Sequence, residues 1–187
     1  MDYPELIAEV THRTGDASVA VRADLYAELA EADLNMRLRT AGNESTATIM
    51  TDAAGVAALP VDFSHMRALL AFGREQSGAD LSNVLAGYGC GYAVSGGDLI
   101  TTWPLTSLTL RYYARLPPVS SGPNWLLAAH PGVYIAAIMQ QVYLAALDAE
   151  KAAAAGQVLS AQLARIRHDD AIRRFEATPF VVGEAAP

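Results

Sequence analysis

The sequence predicts an α+β fold in which helices from both ends of the chain form a bundle and a small antiparallel β domain is inserted between them. Apolar residues recur at helical spacing near both ends of the chain, whereas its middle contains short alternating runs separated by glycine and proline turns. Helices, then strands, then helices again are typical of an α+β plan. The expected parts are N-terminal helices at 1–43, the β domain at 44–118, C-terminal helices at 119–177 and an extended tail at 178–187.

Two helices are predicted in the N-terminal part. Pro4 suits a first helical turn and favours a helix over residues 5–14, which Gly15 then ends. A longer helix is predicted over residues 18–40, with Gly42 as a left-handed cap. Its polar stripe is Asp24, Glu28, Glu31, Asn35 and Arg39, and its apolar stripe is Leu25, Leu29, Ala32 and Met36, flanked by Leu34 and Leu38.

The middle of the chain reads as strands joined by short turns. Gly96 and Gly97 are a strong hairpin signal, because both accept a positive φ. Asp80 is a good cap for one or two helical turns over residues 80–88. The predicted strands are 44–51, 55–59, 66–72, 91–95, 98–102 and 107–115.

The C-terminal part is predicted to be helical up to about residue 177. Asn124 caps a short helix that ends at Ala129, and Pro131 begins the next. Residues 132–147 are apolar nearly all round, which predicts burial on every side and, in a chain of this size, cover from a second subunit. The last helix follows Asp148 and carries an apolar stripe of Leu159, Leu163 and Ile166.

Ile172 and Phe175 lie on other faces of the predicted helix than that stripe. The last helix is therefore expected to change partners, bend or break near His168, Asp169 and Asp170.

Composition excludes several classes of protein. The formal net charge is −7 and no run of Lys or Arg occurs, which argues against a dedicated nucleic-acid binder. The single cysteine, Cys90, excludes an internal disulfide and argues against a thiolate metal site. The N-terminus lacks the features of a signal peptide, and the most apolar stretch is shorter than the roughly 18 residues that span a bilayer. We expect a soluble protein that matures in a reducing cytoplasm.

No residue pattern points firmly to catalysis, a metal or a cofactor. Adjacent residues on a helix point in different directions, so His168, Asp169 and Asp170 cannot all face one ion, and the aspartates read better as surface ion-pair partners. Cys90 lies between two glycines, but the sequence identifies no histidine partner for it. The aromatic side chains are interpreted as packing residues rather than a stacking surface for bases or sugars. These are Trp103, Tyr112, Tyr113 and Trp125.

Four segments, in this order and spacing, resemble the head-to-tail adaptors of tailed bacteriophages, in particular the podovirus-like tail-tubular and adaptor group. They are AELAEADLN at 27–35, LPVDF at 59–63 with MRALL at 66–70, GGDLI at 96–100 leading into LTLRYYARLP at 108–117, and NWLL at 124–127 with HP at 130–131. The resemblance covers residues 3–176. It implies a non-enzymatic virion protein that forms a ring, usually dodecameric, under the portal and around the DNA channel used in genome retention and ejection.

The resemblance also implies partners. These are the portal protein, a tail tube or nozzle protein, further copies of the chain, and passing double-stranded DNA without sequence specificity; no membrane or cofactor is implied. The location is the head–tail interface of the virion, after assembly in the host cytoplasm. Within the apolar tail, Phe180, Val181 and Val182 are the candidate portal-binding residues. The candidate subunit-interface residues are Trp125, Tyr134, Ile138, Gln141, Arg111 and Arg115.

Three alternatives remain open from the sequence. One is another connector or tail-completion ring further from the portal. Another is a small metal-dependent hydrolase that uses His168 with Asp169 or Asp170, and the third is a monomeric binding module.

Overall fold

The computed structural model describes residues 1–88 and 91–176, and it has the α+β architecture that the sequence predicts. One unit combines Met1–Gly42 with the chain from Pro117 onward and is helical, and the other, Asn43–Leu116, contains the strands. In chain order, the helices and strands are α1 (Tyr3–Thr14), α2 (Ser18–Val21), α3 (Ala23–Arg37), β1 (Glu44–Met50), β2 (Val56–Ala58), β3 (Phe63–Ala71), β4 (Arg74–Gln76), α4 (Leu81–Leu85), β5 (Tyr92–Ser95), β6 (Asp98–Thr101), β7 (Ser107–Ala114), α5 (Trp125–Ala129), α6 (Pro131–Ala145) and α7 (Ala149–Glu176).

Helix α1 begins and ends with local signals. The Asp2 carboxylate accepts a hydrogen bond from the Glu5 N–H at 2.9 Å, and the Glu5 carboxylate accepts one from the Asp2 N–H at 2.9 Å. This capping box satisfies two N–H groups that the helix itself leaves unpaired. Pro4 lies in the first turn, as predicted, and Gly15 ends the helix with a φ of 68°.

The prediction for the second helix was wrong in two respects. The helix over 18–40 is two helices, α2 and α3, which meet at Arg22. The apolar stripe is exposed rather than buried, since Leu25, Leu29 and Met36 are 50%, 46% and 66% exposed. The buried face is instead made by Tyr26, Ala27, Ala30, Glu31 and Leu34.

The reason for this error is that α3 carries two apolar stripes of the same period. Periodicity identifies both but does not say which one is covered. The alanine face is the covered one: its small side chains, with Tyr26 and Leu34, pack against α6. The larger leucine and methionine side chains remain outside.

Gly42 is not a left-handed cap either, because its φ does not lie in the positive range. A Cβ at Gly42 would lie 2.9 Å from two ring atoms of Trp125, closer than real Cβ contacts come. Glycine at this position is therefore explained by close packing of the Trp125 indole on the backbone.

Helix α6 is the centre of the helical unit. Seven of its residues are buried, and α1, α3, α5 and α7 all pack against it. The chain's own helices therefore supply the cover that the sequence assigned to a second subunit. The apolar character of α6 is consequently not evidence for an oligomer.

Helix α7 follows Asp148, whose carboxylate accepts a hydrogen bond from the Lys151 N–H at 3.1 Å. Leu159, Leu163 and Ile166 are buried, as predicted. The helix is continuous through residues 168–170, so it neither ends nor restarts there. Ile172 is 44% exposed and belongs to an outward face.

The β unit contains two antiparallel sheets, of strand order β1-β7-β3-β4 and β2-β6-β5. Central strand β7 alternates as predicted, with Leu108, Leu110 and Tyr112 buried in one core together with Leu69 and Leu99. Edge strand β4 was not predicted, because three polar residues carry no alternating signal. In the predicted β5–β6 hairpin, Gly96 and Gly97 have φ values of 63° and 92°.

Among the residues that the structure describes, no helix is both long and apolar enough to cross a membrane.

Candidate interaction surfaces

An open cleft of about 480 Å³ lies in the helical unit beside Trp125. The indole stands edge-on to the His130 ring, with 6.5 Å between the ring centroids. Ile166 and Arg173 of α7 line the cleft as well. Trp125, a predicted interface residue, is thus half-buried and keeps part of its ring at the surface.

Asp170 borders this cleft and has both carboxylate oxygens engaged. One accepts the Ala41 N–H at 2.8 Å, and the other accepts Arg174 Nε at 2.7 Å. The prediction that this aspartate is an ion-pair partner is therefore confirmed. Within residues 1–88 and 91–176, no group of three or more His, Cys, Asp or Glu side chains is placed to hold a metal ion.

A buried polar network lies around Tyr134. Asn124 Nδ2 donates to the Tyr134 hydroxyl at 2.7 Å and to the Pro117 carbonyl at 2.8 Å. Asn124 Oδ1 accepts the Leu127 N–H at 3.0 Å and so caps α5. Glu31, on the buried face of α3, accepts the Val119 N–H at 2.7 Å. The network thus ties α3, α5 and α6 to the chain that enters α5.

Two predicted interface residues have no surface left for a partner. Tyr134 and Ile138 are 0% exposed within the single chain. Their side chains pack inside the helical unit, so they stabilise the monomer. Gln141, one turn along α6, is half-buried and retains some accessible surface.

Burial raises the pKa of the Glu31 carboxyl above its usual value, and the hydrogen bonds from the Val119 N–H and the Tyr134 hydroxyl only partly oppose this. Burial also raises the pKa of the Tyr134 hydroxyl, so the phenol stays protonated and donates a proton to the network. Glu31 is the only buried acidic residue in the part of the chain that the structure describes.

We expect the wild-type protein to lose stability relative to Glu31→Gln as the pH rises. A carboxyl whose pKa is raised by folding stabilises the fold fully below its unfolded pKa of about 4.3, and that contribution is lost as the pH passes the raised value. Glutamine has nearly the same shape as glutamate but does not titrate. The free energy of unfolding of the Glu31→Gln variant therefore lacks this pH-dependent contribution. Urea unfolding from pH 4.5 to 8 measures the difference. Exposed Glu150→Gln on α7 is the control, and identical pH slopes for wild type and Glu31→Gln would contradict the expectation.

Arg111, on β7, and Arg115, one residue beyond the end of β7, are two further predicted interface residues, and both are exposed. Arg111 lies on the face of β7 opposite to the one that buries Leu110 and Tyr112. Both guanidinium groups are therefore placed where another molecule can reach them.

The sequence did not predict one exposed apolar surface of the β unit. Met50, Phe72 and Leu105, here called the apolar tip, are 69%, 72% and 73% exposed. The pairing of β1 and β3 with β7 brings the end of β1, the end of β3 and the loop before β7 to the same end of one sheet. Phe72 and Leu105 also have positive φ values of 54° and 49°.

Backbone strain and exposed apolar side chains are both common at interaction sites. The Phe72 ring lies edge-on to Trp103, with 6.2 Å between the ring centroids. The only sequence signal for the tip was the Phe72-Gly73 pair, which reads as an ordinary turn.

Exposed apolar surfaces on both units, the leucine face of α3 and the apolar tip, are typical of a protein that works by binding other proteins. The model of the SU10 adaptor protein family matches residues 1–182. None of the curated proteins matches the chain. The chain therefore belongs to the SU10 adaptor protein family, and it is a structural head–tail adaptor component of a bacteriophage virion. This confirms the resemblance noted in the sequence. The candidate portal-binding residues Phe180, Val181 and Val182 lie outside the described residues.

Proposed function

We propose that this adaptor joins the portal to the tail as a homo-oligomeric ring, dodecameric as in the adaptors it resembles, and that the ring lines the channel through which DNA is retained and ejected. The match to an adaptor family over residues 1–182 carries the proposal. A connector needs separate contact surfaces for its two neighbours, and the chain offers apolar surface on both of its units. Its role is structural rather than catalytic.

The charge of the chain fits a channel that DNA must traverse. With a formal net charge of −7, the protein does not gain the counterion-release free energy that makes basic surfaces hold phosphate tightly. DNA would pass without sequence-specific contacts. Assembly of the ring would take place in the host cytoplasm before the tail joins.

The apolar tip is the surface that we assign to the tail tube or nozzle protein. Its exposed side chains and strained backbone belong to the β unit. Phe180, Val181 and Val182 lie near the C-terminus, in the segment that the sequence predicts to be extended. An extended apolar segment suits strand addition or insertion into a groove, and we assign it to the portal.

Deleting residues 178–187 is expected to abolish portal binding and to leave the melting temperature unchanged. Phe180, Val181 and Val182 supply the apolar contacts in this proposal, so removing them removes the anchor. Light scattering of the purified protein, alone and mixed with its cognate portal, measures the binding. A wild-type protein that gains a ring-sized mass on the portal supports the function.

Two variants sharpen this test. A tail of equal length made of glycine and serine should behave like the deletion, because a tail without apolar side chains lacks the contacts that bind the portal. Phe72→Ser in the apolar tip should keep portal binding and lose binding to the tail protein. Unchanged portal binding by the deletion variant would remove the role of the tail segment, and a wild-type chain that binds the tail but not the portal would place the ring further from the head.

A further inference from the structure

We propose that the exposed apolar face of α3 is a subunit contact and that it packs against the outward face of α7 in a second copy of the chain. This inference rests on the proposed ring and names the surfaces that would hold it together. The face of α3 is defined by Leu25, Leu29, Ala32 and Met36, and it is called the α3 stripe below.

The α3 stripe has the geometry of a helix–helix contact. Its residues are spaced by four, three and four positions, which is the spacing of a coiled-coil seam. Leu25, Leu29 and Met36 are each about half exposed or more, and Val21, the last residue of α2, is 86% exposed. The opposite face of α3 packs on α6, so the α3 stripe points away from the core of the helical unit.

Helix α7 carries a second exposed stripe. Val158 is 51% exposed and Ile172 is 44% exposed, and both lie away from the buried Leu159, Leu163 and Ile166. Ala154 and Ala161 lie on the same outward face at helical spacing and are exposed. We call the set Ala154, Val158, Ala161 and Ile172 the α7 stripe. Its small residues leave room for the larger side chains of the α3 stripe.

The two stripes differ, so they can pair head to tail in a ring. A twofold dimer would pair either one stripe with itself or the α3 and α7 stripes of two copies reciprocally. Both helices pack on α6 through their buried faces, so the stripes point outward from the helical unit. In the proposed ring each copy presents one stripe to each of two neighbours, whereas a reciprocal twofold pair would use both stripes on a single neighbour and could not be cross-linked beyond a dimer.

Charge complementarity selects the α7 stripe as the occupant of the α3 stripe. Asp24 and Glu28 are exposed on the flank of the α3 stripe. Arg165 is exposed on the outward face of α7, between Ala161 and Ile172. An acidic flank against a basic position suits a contact between the two stripes and disfavours contact of the α3 stripe with another α3 stripe.

The first experiment is a double variant, Leu25→Asp with Leu29→Asp, assayed by light scattering alone and with the cognate portal. We expect the loss of all ring-sized mass, with the circular dichroism spectrum unchanged and the melting temperature of the monomer lowered only modestly, because about half of each leucine is exposed in the monomer. Val61→Asp is the control, since Val61 is 99% exposed and lies in the β unit, and it should assemble like the wild type.

A second experiment identifies the partner face. In a Cys90→Ser background, which has no other cysteine, the assembled double variant Leu29→Cys/Ala161→Cys is treated with a short bismaleimide cross-linker. We expect a ladder of covalent multimers from the double variant and none from Leu29→Cys or Ala161→Cys alone. Cross-linked dimers from Leu29→Cys alone would mean that two α3 stripes meet, and they would overturn the inference.

The remaining outcomes separate this inference from the proposed function. Rings that survive Leu25→Asp/Leu29→Asp overturn the α3 contact and leave the adaptor ring standing. Rings that form but no longer bind the portal show that the α3 stripe faces the portal, which also overturns the inference. A wild-type chain that never assembles, alone or on the portal, overturns the ring and the α3 contact together.

Discussion

Asn124→Ala is expected to lower the free energy of unfolding of the helical unit by about 3 kcal/mol. The Asn124 side chain is almost fully buried and makes three hydrogen bonds, to the Leu127 N–H, the Pro117 carbonyl and the Tyr134 hydroxyl. Alanine leaves all three partners without it in a site closed to water, and each unsatisfied buried polar group costs about 1–3 kcal/mol, with partial relaxation reducing the sum.

Chemical denaturation measures the change, and Asp80→Ala is its matched control. Asp80 caps α4, another five-residue helix, through a hydrogen bond from the Ser82 N–H, but it does so at an exposed position. Its replacement should cost about 1 kcal/mol, the usual value of an N-cap. If the two variants lost equal stability, Asn124 would be acting only as a helix cap and the buried network would contribute nothing.

Asn124 also illustrates what the sequence does and does not reveal. Its role as a cap was predictable, because an asparagine before an apolar helical run is a local signal. Its bond to Tyr134, ten residues away, was not, because that bond depends on how α5 and α6 pack. The same limit applies to Glu31, which was placed in the polar stripe although it is buried and bound to the Val119 N–H.

The strands and turns were predicted well for the same reason. Alternation along β7 and the glycine pair of the β5–β6 hairpin are properties of neighbouring residues. The apolar tip was missed because its three residues come from different parts of the chain and reach the same end of the sheet only through strand pairing.

The candidate subunit-interface residues show the same difference between local sequence signals and packing that depends on the whole fold. Trp125, Gln141, Arg111 and Arg115 have accessible surface, as an interface requires. Tyr134 and Ile138 are buried by helices of their own chain, because an all-round apolar helix does not reveal what covers it. The exposed leucines of α3 were visible as a stripe, but only the packing of α6 on the alanine face shows that they are left outside.

Gly55→Ala is expected to destabilise the β unit by about 4 kcal/mol, the sum of a left-handed backbone and a steric clash. Gly55 has a φ of 79°, and a Cβ there would lie 2.3 Å from the Thr101 carbonyl oxygen. The turn cannot move away easily. The Gly55 carbonyl accepts the Thr101 N–H at 2.8 Å, and the Asp52 carboxylate holds the Ala54 and Val56 N–H groups at 2.8 and 2.9 Å.

Gly96→Ala separates the two parts of this effect. Gly96 also has a positive φ, 63°, but no atom lies within 4 Å of a Cβ built there. Its replacement should therefore cost only the backbone term, about 1 kcal/mol. Thermal unfolding followed by the fluorescence of Trp103, the tryptophan of the β unit, reports both variants. Equal destabilisation by the two substitutions would mean that the Gly55 turn relaxes around the added carbon. A much larger loss of stability for Gly55→Ala would mean that the turn cannot relax to admit a side chain. The hydrogen bonds to Thr101 and Asp52 would then fix both the turn and the pairing of β2 with β6.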